Sequence, residues 1–258
     1  MPFTAPMVRA LLDGTKTQTR RILKPCFGLG EPQNLAECGI DADTYSGKAN
    51  DPKSWGWPCG EDGINDMSLA DWPYTSGYAI GDRLWVRESC FQRGNWQPIL
   101  GVTTKGGRQK WAFVPVDDSI SFESPAEYRK GRHSANPETV AWHKRLGRFM
   151  PRYASRLTLT VTDVRVERLQ DISEADAQAE GVERVYYQGA QAWKSYKTYP
   201  DGSRHPHSSA PNRLASISYG ELWNSINGAG AWEQNPWVVA LTFTVEQRNI
   251  DAGKASVA

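Results

Sequence analysis

The sequence carries almost no net charge: 30 basic residues face 29 acidic ones, for a formal +1. A protein that coats a polyanion draws its affinity from many lysine and arginine contacts to phosphates, so this balance argues against that class and leaves small or flipped nucleotides as ligands. Cysteine is sparse as well. Cys26, Cys38, Cys59 and Cys90 lie far apart, with no Cys-x-x-Cys and no nearby histidine to complete a zinc set. Spacing leaves a disulfide among the first three open, and free thiols in a reducing cytoplasm are the expectation. No window approaches the ~20 apolar residues of a membrane span. The opening Met-Pro-Phe-Thr-Ala-Pro has neither the basic nor the apolar region of a signal peptide. The expected protein is cytoplasmic and has no membrane contact.

Aromatic residues, in contrast, are plentiful. Eleven tryptophans and ten tyrosines are the side chains that stack on bases or fill cores while keeping a polar tip, and most of them read as core or loop anchors. Near the start, Phe3, Met7, Val8, Leu11 and Leu12 follow one another at the spacings of a short helix, with Thr4 as N-cap and Pro6 in its first turn. Asp13-Gly14 ends that helix. The chain then enters Gly14-Thr15-Lys16-Thr17-Gln18-Thr19-Arg20-Arg21, whose β-branched residues lose rotamer freedom in a helix and favour an extended strand or turn. Alternation sends Lys16 and Gln18 to one face, and Thr17, Thr19 and Arg21 to the other, unless a bulge re-aims one of them.

Residues from about 25 to 77 are rich in Gly, Pro, Asn, Asp and Trp and hold no sustained period, which reads as a long ordered insertion anchored by Trp55, Trp57, Trp72 and Tyr74. Residues 79–88 form a turn and an alternating strand, with Leu84 and Val86 on one face, and Arg83, Trp85 and Arg87 on the other. A further strand is expected at 111–115, and 121–147 reads as a polar loop with one short helix. Residues 157–166 alternate cleanly and are the clearest strand. After them Ser173 is the N-cap of a two-turn helix, Asp176 takes its acidic third position, Glu180 ends it and Gly181 stops it. A second irregular insertion spans 184–213, a short amphipathic helix covers 218–227, and a closing strand 236–245. No internal repeat or break in composition demands two domains, so a single domain over 1–258 is expected.

Four pieces in this order resemble the ASCH domain family of the PUA-like superfamily: Gly14-x-Lys16-Thr17-x-Thr19-x-Arg21, Gly81-Asp82-Arg83-Leu84-Trp85-Val86-Arg87-Glu88, the strand leading to Ala177-x-x-Glu180-Gly181, and the strand from Trp237 to Val245. The resemblance covers roughly half the chain. It implies an α+β fold, a small, partly open β-barrel with flanking short helices, here carrying two long irregular insertions. A subset of small ASCH proteins is closer still, the amidohydrolases that remove the acyl group from N4-acetylcytidine. Residue by residue, the resemblance implies Lys16, Thr19 and Glu180 as the catalytic set. This chain differs from those proteins in being more than twice as long, with Gln18 and Arg20 where small members can carry aliphatic residues.

Such a set makes chemical sense without a metal or cofactor. Amide cleavage needs a nucleophile, a base to activate it and an acid for the departing amine. Thr19 can supply the hydroxyl and Lys16 the base, provided desolvation or the charge of Arg21 lets the lysine lose its proton near neutral pH. Glu180 would protonate the cytosine amine or orient the lysine. In a barrel cleft, Arg21, Trp85 and Arg87 would hold the base or ribose of a nucleoside substrate. Two rivals stand beside this reading. One is a binding module that captures RNA or a modified base without chemistry, and the other is a ribonuclease in which Lys16 and Arg21 steady a phosphate. On bland readings, Glu180 is a solvated helix end, Arg83, Arg87 and Glu88 form an ordinary cross-strand charge set, and His205-Pro206-His207 is a loop rather than a metal site. The acyl range and the oligomeric state are open.

Overall fold

A computed structural model describes residues 1–23, 77–132, 135–197 and 210–252, and between 24 and 76 it describes three short strands. The elements are α1 (Ala5–Leu12), β1 (Gln18–Ile22), β2 (Gln33–Asn34), β3 (Trp55–Trp57), β4 (Met67–Ser68), β5 (Arg83–Trp85), β6 (Cys90–Thr103), β7 (Gln109–Ser121), β8 (Ala141–Arg145), β9 (Thr158–Arg168), α2 (Glu174–Ala179), β10 (Arg184–Tyr187), β11 (Ala190–Trp193), α3 (Ala215–Asn227) and β12 (Trp237–Glu246). The architecture is mixed α+β. It falls into two compact units, the first built from Met1–Arg9, Leu84–Thr158 and Glu246–Ala258, the second from Ala10–Arg83 and Leu159–Val245.

In the second unit β1, β12 and β9 lie in that order in a curled, half-barrel sheet. The strand β12 is buried without interruption from Trp237 to Leu241, as an apolar run must be when both faces are covered. Antiparallel pairing with β1 fixes Gln18 opposite Thr242 and Arg20 opposite Ala240. The core beside this sheet gathers Leu169, Ile172, Ala177 and Val182 with Tyr219 and Trp223 of α3 and Val238 of β12. Burying side chains of this size contributes about 1.5–3 kcal/mol each before the cost of ordering them. β2, β3 and β4 pair with one another as a small separate sheet.

The helix expected between Ser173 and Glu180 forms as read. Ser173 Oγ accepts the Asp176 N–H at 3.1 Å, and Glu180 closes the last turn by donating its N–H to the Asp176 carbonyl. The first and last helices and the closing strand also form, displaced by one to three residues at their ends.

In the first unit β6 runs between β7 and β8. The sequence suggested a strand at 111–115 alone and a loop through 147, whereas β6 and β7 form a long antiparallel hairpin and β8 lies within the expected loop. Pro98 and Pro115 interrupt the two-residue period, and the ladder absorbs the irregularity as register shifts between Gln92 and Gly94 and between Pro98 and Thr103. The insertion read as irregular over 184–213 begins with the hairpin β10–β11, turned at Gln188 and Gly189 with φ of 50° and 80°. Two left-handed residues make the twist-matched two-residue turn, here without the usual asparagine. Cys90 is a free, buried thiol. Cys26, Cys38 and Cys59, the tryptophan-rich stretch and His205-Pro206-His207 lie outside the described residues or their side chains do. Among the described residues no helix is long and apolar enough to cross a membrane.

Candidate active site

Helix α1 ends at Leu12 and is followed by a turn at Gly14, whose φ of 72° redirects the chain so that the Lys16 N–H donates to the Ala10 carbonyl at 3.0 Å. The following residues run on as β1. Thr17 donates its N–H to the Ala179 carbonyl at 2.8 Å and accepts from the Phe243 N–H, which stitches the segment between the end of α2 and β12. Lys16 is thereby directed inward and is 0 % exposed. Its Nζ donates to Glu180 Oε2 at 2.7 Å and to the Glu180 carbonyl at 2.8 Å. Gly181 makes this approach possible: its φ is +83°, and a Cβ there would sit 3.0 Å from the Lys16 Cβ and 3.1 Å from the Ala10 Cβ.

Glu180 gathers more than Lys16. Its Oε1 accepts from Arg20 Nη1 and from the Tyr219 hydroxyl, each at 3.3 Å. The Arg20 guanidinium, itself buried, also donates from Nε to Glu167 Oε1 at 2.8 Å and lies 3.3 Å from Asp176 Oδ2. Its Nη2 is 2.6 Å from Glu167 Oε1 without hydrogen-bond alignment, a charge contact alone. Gln18 completes the set by donating Nε2 to Asp176 Oδ1 at 2.8 Å and accepting from Arg20 Nη1 at 3.3 Å. Lys16, Gln18 and Arg20 thus reach the same acidic cluster from every second residue of one extended segment.

Electrostatics follow from this packing. Burial is the largest influence on Lys16 and pulls its pKa below the ordinary lysine value. The charge and hydrogen bond of Glu180 oppose that, and the positive charges of Arg21 and Arg20 add to the lowering. Burial next to Glu180 pushes the Tyr219 hydroxyl well above the ordinary tyrosine value, so it remains a donor. Asp176 is pushed up by burial but pulled down further by the Gln18 hydrogen bond and the charges of Arg165 and Arg20, and its carboxyl ends below its usual range. A buried lysine of lowered pKa, aimed by a carboxylate, can accept a proton from a nucleophile and return it to a leaving group.

Of the residues singled out from the sequence, Lys16 and Glu180 are brought into direct contact. Thr19 is 2 % exposed on β1, and alternation turns it to the face opposite Gln18 and Arg20. Arg21 is half-buried on the same strand and acts on Lys16 through its charge. Trp85 and Arg87 belong to the first unit, where the Arg87 guanidinium stacks 5.3 Å over the Trp85 ring. Sequence reasoning missed Arg20, Glu167 and Tyr219 as members of the cluster. Arg20 was within reach, since it extends the alternation of Lys16 and Gln18, whereas Glu167 and Tyr219 carry no local signal. Compared with known proteins, the chain matches no family model, no curated protein and no solved structure.

Proposed function

We propose that the chain is an ASCH-type amidohydrolase that converts N4-acylcytidine and water to cytidine and a carboxylic acid. The observation that carries this reading is the fully buried Lys16 amine, lowered in pKa and held 2.7 Å from Glu180. In the proposed first step the neutral Lys16 amine takes the Thr19 hydroxyl proton as Thr19 Oγ1 bonds to the acyl carbon. The C–N4 bond breaks, N4 receives the proton from Lys16, and cytidine leaves. Water then hydrolyses the threonine ester. Glu180 orients Lys16, Tyr219 and Arg20 hold Glu180, and Arg21 keeps the lysine proton labile.

A second reading draws on the position of Thr19 across the strand from Gln18 and Arg20. In it the Lys16–Glu180 pair activates a water molecule directly, with no covalent intermediate. The test is release of cytidine from N4-acetylcytidine, followed by ultraviolet absorbance. Lys16→Met should lower kcat/KM by roughly 10²–10⁴-fold. Thr19→Val, which removes only the hydroxyl, should abolish turnover if threonine is the nucleophile, and hydroxylamine should trap an acyl-enzyme in the parent. Activity of Thr19→Val near the parental level would select the water route. No cytidine release by the parent would overturn the amidohydrolase in favour of a nucleic-acid reader.

A further inference from the structure

The near-neutral total hides a strong separation of charge. The segments of the first unit hold sixteen basic and eight acidic residues, a net of +8, so the second unit must hold −7 to give the chain's +1. Within the first unit the excess is concentrated on the hairpin. From Gly94 to Val116 there is no acidic residue, and Lys105, Arg108 and Lys110 stand at its tip. Every residue from Leu100 to Lys110 is exposed. At the foot of the tip Trp111 pairs with Pro98 and carries the Arg132 guanidinium 4.2 Å over its ring. Two residues further along β7, some 7 Å at the rise of a strand, Phe113 meets the Arg145 guanidinium, which also lies 4.9 Å from the Phe149 ring. Phe149 is 51 % exposed and has Arg148 at 4.8 Å.

We infer that the first unit binds a single-stranded polynucleotide along the β6–β7 hairpin. The three tip cations would contact successive phosphates, and the exposed Phe149 ring, flanked by arginines, would stack on a base. Charge alone would suit any polyanion. Arginine-flanked aromatic faces beside a cationic ribbon are what distinguish a single strand, whose bases are free to stack, from a duplex, whose bases are not. Binding of this kind stands independently of the amidohydrolase reading, because it involves no residue of the Lys16 cluster.

The experiment measures fluorescence anisotropy of a labelled twelve-residue oligouridylate and oligothymidylate with the full chain. Three phosphate contacts, at a slope of about 0.7 each, predict a roughly twentyfold weakening between 50 and 200 mM salt. Combining Lys105→Gln, Arg108→Gln and Lys110→Gln, all at exposed positions, should cost at least tenfold at 50 mM salt while leaving the melting temperature and cytidine release unchanged. Phe149→Ala should cost about fivefold or more with the oligonucleotides and nothing with inorganic polyphosphate. The inference is overturned if the parent fails to bind either oligonucleotide at 50 mM salt. It is also overturned if a duplex or anionic vesicles bind and single strands do not, if the triple variant binds like the parent, or if Phe149→Ala leaves oligonucleotide binding intact. Failure of cytidine release with oligonucleotide binding preserved would remove the amidohydrolase and leave this surface standing.

Discussion

A buried arginine and a half-buried one in this protein are handled in opposite ways. In the second unit Arg20 is surrounded by Glu167, Asp176 and Glu180 and shares the last of these with Lys16. In the first unit the Arg145 guanidinium lies against the rings of Phe113, Phe149 and Trp96, at 4.1, 4.9 and 5.5 Å, and its Nε is buried with no hydrogen-bond partner among the described residues. Burial lowers the Arg145 pKa, whereas carboxylates outweigh burial at Arg20 and raise it. One site holds charge by charge, and the other holds a cation by flat apolar faces and its stem. Only the first arrangement fixes where a proton carrier points. That is why the buried ion pairs read as a site, and the stacked arginine as packing with a charged rim.

The comparison breaks first at Glu180. Removing one partner of a buried pair leaves the other uncompensated, so Glu180→Gln should destabilise the protein by about 3–5 kcal/mol in urea unfolding. The negative charge shared by Lys16, Arg20 and Tyr219 is lost in that variant, and one of its two acceptor oxygens becomes an amide donor. A loss below 1 kcal/mol would mean that the cluster is solvated and that its geometry carries no proton chemistry. Gly181→Ala comes next. Its Cβ would meet Lys16 and Ala10 at a left-handed φ, so a loss of roughly 2–3 kcal/mol is expected, with cytidine release falling because Lys16 is displaced. Full activity in this variant would show that the position of Lys16 is not critical.

What could be read in advance follows the range of the forces involved. Local rules were sufficient for α2: a serine N-cap, an acidic third position and a terminal glycine place Glu180 correctly. Alternation was enough for Lys16 and Gln18. The partners contributed by Glu167 and Tyr219, separated from Arg20 by well over a hundred residues, depend on how the sheet and α3 pack, and no spacing encodes that. The hairpin β6–β7 was under-read because prolines broke its period, and its charge was overlooked because a whole-chain sum averages two oppositely charged units. The ASCH assignment itself rests on the motifs alone.

Titration sharpens the same contrast with a smaller effect. Asp176 has a folded pKa below its ordinary 3.8, so the stability it contributes is complete above that value and is lost as pH falls through the lowered one. Asp176→Asn should therefore flatten the acid limb of the stability curve below about pH 4. Lys16 acts at the other end. Its folded pKa lies below the ordinary 10.5, so the cost of burying its charge is present in full below the folded value and disappears as pH rises from there towards 10.5. Lys16→Met should remove that alkaline gain. If the parent's stability does not rise along this limb relative to Lys16→Met, the lysine is better compensated by Glu180 than its burial implies.

The smallest expected effect is at Arg145. Replacing a stacked arginine by methionine keeps the long stem against Phe113, Phe149 and Trp96 and removes a charge that no described carboxylate pairs with. The change should be worth no more than about 1 kcal/mol in either direction. Arg145→Ala removes the stem as well and should cost about 1–2 kcal/mol through lost packing. Equal losses in the two variants would mean that the guanidinium holds the fold by its charge, and the distinction between the two units would fail. Near-neutrality of Arg145→Met beside a large loss in Glu180→Gln would instead establish that buried charge is structural only where a second charge answers it. It would leave the Arg145 guanidinium available to a polyanion at little cost to the fold.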